Sequence, residues 1–300
     1  MKEDYLVTVV IPTHNRSDLL PRAIRSVLGQ TYKNLECIVV DDASNDGTEQ
    51  VVREFEDNRL IYLRHETSLH ASAARNSGIK KARGEFLAFL DDDDEWLPQK
   101  LEKQLGLITS SSEQVGLVYC WLDCYEEEQL VSQRHPKLRG NIFKQTLDRQ
   151  PIGNSSTLLV RRSVIETVGG FDESLPRGND GDFIRRICRD YEVDFVPEVL
   201  VKVYIGHKHE RITSVDEKSL RNAIKGHSIK LVKFKDQLDQ YPTQAANIHA
   251  TIAYHYAMLG EWKNCINYFR LAAQISPTNT SIYLKALKSI KFLYRSNRAL

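Results

Sequence analysis

Apolar residues in the first hundred positions follow two alternating rhythms. Short runs at residues 7–11, 35–40, 60–63 and 86–90, interrupted only by Thr8 and Glu36, are rich in Val, Ile, Leu and Phe, the signature of strands covered on both faces. Between them, apolar positions recur at helical spacing over 19–28, with Ser17 placed as a cap and Gly29 as a stop, over 48–55 and over 71–81. Strand and helix alternate, which predicts an α/β fold with a mostly parallel sheet flanked by helices. Three of the strand runs end in polar clusters: Pro12-Thr13-His14-Asn15, Asp41-Asp42-Ala43-Ser44-Asn45-Asp46-Gly47, and four consecutive aspartates at 91–94. Ligands of open α/β sheets bind beyond the carboxyl ends of strands, so all three clusters are expected at one crevice. The helix over 71–81 is built from small residues around Arg75 and Asn76, which lets backbone approach the sheet and sets Arg75 near that crevice. An Ala-rich helix with a solvated Arg fits the same spacing.

Farther on, the pattern predicts an amphipathic helix at 101–108, a strand at 115–121, a polar loop-like stretch at 126–151, a strand at 156–160 and a short helix after Ser163. Asp180-Gly181-Asp182 opens a helix that buries Phe183, Ile184, Ile187 and Cys188 and sets Arg185, Arg186 and Arg189 elsewhere. A carboxylate there is a helix cap or a functional acid. From 219 onward the pattern is helical only. Helices at 250–259 and 266–273 around Gly260, followed by Pro277, resemble one tetratricopeptide unit. A last helix over 281–298 puts Lys285, Lys288, Lys291, Arg295 and Arg298 on one side, with Ile282, Leu287, Ile290, Leu293 and Tyr294 opposite. That suits a helix packed on its neighbours, and also one lying on a membrane surface.

The net charge of +1 hides an asymmetry: residues 201–300 carry +10, leaving −9 on the first 200. Five cysteines without a C-x-x-C pair indicate neither a disulfide framework nor a zinc site. The chain opens without a signal-peptide pattern and has no run of spanning length, so a cytoplasmic protein is expected. Its basic C-terminal part would favour the anionic inner face of a membrane. Nothing interleaves aromatic and basic residues as nucleic-acid recognition requires, so no nucleic-acid partner is expected. The aspartate run itself has two readings. It is an acidic turn favoured by the dipole of a helix opened by Trp96-Leu97-Pro98, or an all-oxygen site for Mg2+ or Mn2+, ions that arrive with phosphate.

Taken in order, residues 9–16, 38–48, Ala74-Arg75-Asn76-Ser77-Gly78-Ile79, 84–96, Gly169-Gly170-Phe171-Asp172-Glu173 and Asp180-Gly181-Asp182 resemble glycosyltransferase family 2 over roughly residues 5 to 205. The resemblance implies a GT-A fold, a Rossmann-like mixed sheet flanked by helices, with a nucleotide-sugar half at 1–110, an acceptor half at 111–212 and a helical extension at 213–300. It implies inversion at the anomeric carbon, a nucleotide-sugar donor that is UDP-linked, and a glycan or lipid-linked acceptor. Carried over by position, Pro12, Thr13 and Asn15 border the nucleotide, Asp42 accepts from the base, and Arg75 with Asn76 approaches the diphosphate. Asp91 and Asp92 hold the ribose and diphosphate region, Asp93 is the metal ligand, Asp94 faces solvent, and Asp180 is the general base. The family more often has Glu where this chain has Asn179, which touches only a supporting acid.

The chemistry suits those assignments. A departing diphosphate gathers negative charge that a cation and Arg75 would offset, while an acceptor hydroxyl needs a base on the opposite side. His207 and His209 are placed to close over the diphosphate or to form a solvated basic loop, and Asn154-Ser155-Ser156 to line an acceptor pocket or end a loop. The competing reading is a non-catalytic nucleotide-sugar-binding scaffold whose helical tail recruits partners. A nicotinamide dehydrogenase would need a Gly-rich turn after the first strand, and a sugar-nucleotide pyrophosphorylase a Gly-rich basic loop there; Pro12-Thr13-His14-Asn15 supplies neither.

Overall fold

The computed structural model describes residues 4–206, 209 and 216–296. In chain order these form β1 (Val7–Thr13), α1 (Leu20–Leu28), β2 (Leu35–Asp41), α2 (Thr48–Arg53), β3 (Leu60–Arg64), α3 (His70–Lys81), β4 (Phe86–Phe89) and β5 (Asp94–Trp96). There follow α4 (Lys100–Ser110), β6 (Val115–Glu126), β7 (Gln129–Arg134), α5 (Phe143–Thr146), β8 (Leu158–Arg161), α6 (Arg162–Val168), α7 (Asn179–Asp190) and β9 (Glu192–Ile205). Helices α8 (Glu217–Lys233), α9 (Lys235–Gln240), α10 (Pro242–Met258), α11 (Trp262–Ile275) and α12 (Thr280–Ser296) complete the chain.

Contacts separate two units, one of Met1–Ile142, Pro151–Glu173 and Phe183–His209, the other of Phe143–Gln150, Ser174–Asp182 and Glu210–Leu300. The sequence reading draws a single cut after residue 212. Two short internal segments, with no apolar periodicity to mark them, instead join the helical unit.

In the first unit β1 and β2 bury every residue, Thr8 and Glu36 included, as strands covered on both faces do. The sheet order is β3-β2-β1-β4-β8-β6-β9-β5, with β7 beside β6; β1, β2, β3 and β4 pair in parallel, and β8 runs antiparallel to both β4 and β6. Register then levels the strand ends. Thr13 lies opposite Asp41, and Val10 opposite Phe89, which carries Thr13 to the height of Asp92.

Strands β4 and β5 are nearly consecutive in sequence yet four places apart in the sheet. Four spacings of about 4.8 Å make about 19 Å in a flat sheet. The link cannot reach that far, because the Asp94 N–H donates to the Asp91 carbonyl at 3.0 Å and folds the aspartate run into a turn less than about 7 Å across. The sheet therefore curls until its β5 edge returns to the carboxyl end of β4. The aspartates are the stitch that closes the curl.

Several local expectations fail. Ser17 does not cap α1: its hydroxyl donates to the Asp46 carbonyl, and Leu19 holds the cap position without a side-chain bond. Trp96 ends a strand instead of opening a helix, because pairing with Val201 captures it. The stretch 126–151 contains β7, an exposed strand held by pairing with β6 without a buried face to mark it. Arg185 is buried, not on an outer face.

The second unit is helical. Helices α10 and α11 form a hairpin around Gly260, whose φ of +74° favours a residue without Cβ. Leu147, Ile224, Phe234, Leu238, Ile248 and Ile252 form one core cluster, and Ala246, Ala250, Ala272 and Ile282 another. On α12 the expected amphipathic order holds at Ile282, which is buried, and at Lys288, which is exposed, but reverses at Lys285, Leu287 and Ile290. Lys285 turns inward, donating to Thr251 Oγ1 at 2.5 Å and to the Asn247 carbonyl at 3.3 Å, while Leu287 and Ile290 are each 57 % exposed.

Candidate active site

Burial differs sharply along the aspartate run. Asp91 is partly exposed, whereas Asp92, Asp93 and Asp94 are 4, 8 and 1 % exposed. Oxygens of Asp91, Asp93 and Asp94 lie within 4.8 Å of one another. The expectation that Asp94 faces solvent is wrong: β5 pairing turns it inward, where it accepts from Ser156 Oγ at 2.5 Å and Asn154 Nδ2 at 3.0 Å. Ser156 Oγ also accepts from the Asp91 N–H at 3.1 Å, and Ser155 Oγ donates to Asp91 Oδ1 at 3.2 Å. Asn154, Ser155 and Ser156 thus cradle the acids from the tight turn at Ser155–Thr157. Trp96 anchors that cradle by donating from Nε1 to the Ser156 carbonyl at 2.8 Å.

Such crowding has an electrostatic cost. Burial, then the charges of Asp93 and Asp91, raise the Asp94 pKa well above the carboxylate range. Burial pushes Asp92 up to about 6, opposed by Arg16, whose Nη1 sits 2.9 Å from Asp92 Oδ1 and 3.3 Å from Asp93 Oδ2. Thr13 Oγ1 completes the Asp92 shell with a donation at 2.8 Å. The donor set tests well against a hard divalent cation: three carboxylates converge, and the buried Asn154 Oδ1 has no hydrogen-bond partner among the described residues.

Arg75 reaches this cluster because α3 lies unusually close to the sheet. A Cβ on Gly78 would stand 2.3 Å from Val10 Cγ1, so only glycine permits the approach. From there Arg75 donates to Asp91 Oδ1 at 2.5 Å and lies 5.3 Å over the Phe171 ring. Asn76, the next residue, turns elsewhere. It donates to the Phe171 carbonyl and Glu173 Oε1 at 2.9 and 2.7 Å and accepts the Phe171 N–H at 2.8 Å, a fit that leaves no room for a Cβ on Gly170.

Asp42 stands in a second network. Its carboxylate accepts from His65 Nδ1, Ser68 Oγ and the N–H groups of Leu69 and His70, all at 2.7–2.8 Å. Burial raises its pKa, but these four donors outweigh that and hold it below the ordinary carboxylate value. Asn15, Ala43 and His70 have φ of 53°, 62° and 70°, so the loops around Asp42 store left-handed backbone. Such strain in a bulky or Ala residue costs about 1 kcal/mol or more and persists where the surroundings enforce it. Asn15 joins the loops by donating its N–H to Ser44 Oγ at 2.9 Å and accepting the Asn45 N–H at 2.8 Å; Pro12 lies buried in β1 before them.

The structure therefore gathers Thr13, Arg75, Asp91, Asp92 and Asp93 around one cluster, groups Asn15 with the Asp42 loops, and turns the Asn76 amide to the 171–173 turn. Sequence reasoning missed Arg16 and Arg22. Arg16 directly follows a polar strand end facing four acids, which was the available signal. Arg22 donates from Nη2 to the Asp93 carbonyl at 2.6 Å and stacks 3.7 Å over Tyr204, whose hydroxyl donates to Glu95 at 2.7 Å; one more surface Arg on a helix gives no such hint. His209 sits 2.8 Å from Asp18, and His207 lies outside the described residues. Asp180 is in the first turn of α7, in the stretch assigned to the second unit, where its neighbour Asp182 pairs with Lys233 at 2.9 Å.

Comparison with known proteins matches the fold and the motifs together. Residues 8–169, more than half the chain, match the family model for glycosyl transferase family 2. The putative colanic acid biosynthesis glycosyl transferase WcaA of Escherichia coli is 31 % identical over 249 residues, covering 80 % of this chain and 85 % of WcaA. S. aureus TarS, crystallised with UDP-GlcNAc, superposes with a TM-score of 0.70 at 17 % identity, covering 98 % of this chain and 91 % of that one. A mannosyltransferase from Pyrobaculum calidifontis in complex with GDP-Man and Mn2+ gives 0.62 at 20 %, covering 98 and 82 %. The fold is the GT-A type of these neighbours, with helices appended, and the chain belongs to glycosyl transferase family 2, making it a glycosyltransferase.

Proposed function

We propose that the chain transfers a sugar, with inversion, from a nucleoside diphosphate donor, UDP-linked, to a hydroxyl of a glycan or lipid-linked acceptor in cell-surface polysaccharide synthesis. The observation that carries this reading is the trio Asp91, Asp93 and Asp94, with oxygens within 4.8 Å and Arg75 bound at its rim, at the carboxyl edge of the sheet. The structural neighbours crystallised with UDP-GlcNAc or with GDP-Man and Mn2+ support a donor of this class, and the relative named for colanic acid supports the product class.

In this reading the donor occupies the strand ends of residues 1–110 and the acceptor meets residues 111–212. Asp93, with Asp91 and Asp94, holds Mg2+ or Mn2+, which when bound supplies positive charge where the diphosphate departs. Arg75, bound to Asp91, offsets that charge as well, and Arg16, paired with Asp92, opposes the burial that raises its pKa. Asp42 shapes the base pocket by fixing the 65–70 loop, with Pro12, Thr13 and Asn15 at its wall and Asn76 holding the 169–173 turn. Asp180 takes the proton of the acceptor hydroxyl as the new bond forms, a service worth about 10²- to 10⁴-fold.

Purified protein incubated with a panel of nucleotide sugars, with Mn2+ and with chelator, tests the reaction; release of free nucleoside diphosphate that chelator stops is the expected result. Asp180→Asn should keep donor affinity and lose transfer. Undiminished turnover in that variant sinks the base assignment.

A further inference from the structure

We infer that α12 is a membrane-surface helix that seats an apolar stripe in an anionic bilayer, and that the stripe consists of Tyr283, Leu284, Leu287 and Ile290. Over the first three turns α12 buries Ile282 and Ser289 within its own unit, with Lys285 half-buried beside them. The other side leaves Tyr283 48 %, Leu284 60 %, Leu287 57 % and Ile290 57 % exposed, at spacings of three and four that line one face. Isolated exposed leucines are ordinary, but four large apolar residues in a row along one helix mark an interaction site.

Charge decides between occupants. From residue 262 to the end the chain holds seven Lys and Arg and no Asp or Glu, and Lys288 is exposed beside the stripe. A second copy of the chain laid on the same stripe would meet that same acid-free, basic stretch, which offers Lys288 no counter-charge. An anionic lipid surface offers apolar depth for the stripe and counter-charge for its flanks, the pairing that holds amphipathic helices in the headgroup layer. This surface shares no residue with the aspartate cluster, so it stands or falls independently of the transfer chemistry. It places the enzyme where a lipid-linked acceptor is found.

The test is co-sedimentation of the full-length protein with phosphatidylcholine vesicles, with and without about one-third phosphatidylglycerol. Binding is expected only to the anionic vesicles, falling about tenfold or more in high salt. Leu287→Glu/Ile290→Glu should lose at least tenfold in binding while keeping its circular-dichroism melting curve, and Leu287→Ser/Ile290→Ser should lose less in the same direction. Equal binding to neutral vesicles, or binding unchanged in both double variants, overturns the inference. So does a concentration-dependent dimer in sedimentation velocity that the Glu variant dissolves, since the stripe would then be a self-interface. Donor turnover with a water-soluble acceptor should be the same in all these variants, which separates failure here from failure of the transfer reading.

Discussion

The two units break the usual rule of burial in opposite directions. The first takes charge inside: Asp92, Asp93 and Asp94 sit almost wholly buried, held by Thr13, Arg16, Asn154 and Ser156. The second puts apolar surface outside, on α12, while Lys285 of the same helix folds back onto the Asn247 carbonyl and the Thr251 hydroxyl. Each exception names a missing partner of opposite character. In the proposed readings, the buried acids would take a cation with the phosphate it carries, and the apolar stripe would take lipid. The interior of one unit and the exterior of the other are therefore where function is legible.

Substitutions can sharpen that contrast, beginning with the buried charges. Asp93→Ala should cut kcat/KM by about 10³-fold or more and abolish the Mn2+ dependence of donor turnover, because metal and diphosphate lose their shared ligand. An alanine variant that remained active and metal-responsive would move the metal from Asp93.

The helical unit has its own buried titratable group. His255 stacks on His227 at 5.6 Å and faces Arg177 and Lys285; burial, then those two cations, lower its pKa from 6.5 to about 4. Between those values the unfolded chain takes up a proton that the folded one refuses, so stability falls as pH drops from 6.5 towards 4 and levels off below. The loss should approach about 3 kcal/mol. Helical unfolding midpoints measured across that window, with His255→Phe as a variant lacking the dependence, provide the check.

Gly78→Ala comes next, costing about 2 kcal/mol in urea unfolding, because its methyl would overlap Val10. The same variant should weaken donor affinity by displacing Arg75. Smallest is Lys288→Glu, a solvated position, which should shift the thermal midpoint by no more than about 1 °C and leave soluble-acceptor turnover unchanged.

Much of the first unit could be read from the chain because parallel strands covered on both faces leave nearly continuous apolar runs, and each run points its end at the same edge. The small residues around Arg75 likewise signalled close approach, which Gly78 against Val10 bears out. What stayed hidden depended on long-range pairing. Nothing local says that Asp94 starts a strand on the far side of a curled sheet, so its burial and the cradle at 154–156 could not be seen. Arg22 stacks on Tyr204 and Arg16 reaches Asp92 and Asp93 only after that curl exists. On α12 periodicity grouped Leu287 with Ile290 but set Ile282 beside them, whereas Ile282 is buried and Tyr283 and Leu284 line the exposed stripe. Lys285 found acceptors on Thr251 and Asn247, and Leu287 and Ile290 were left facing out.

The pairing of β5 with β9 also orders events in time. Residues 94–96 dock on residues 201–203, more than a hundred positions later in the chain, and a contact of that range forms late in folding and late in synthesis. A nascent chain of 190 residues would carry all four aspartates, Arg16 and Arg75, yet the turn that brings them together would have no strand to hold it. In the proposed reading, metal affinity would report on completion: an unfinished chain presents scattered acids, and only the finished one gathers them.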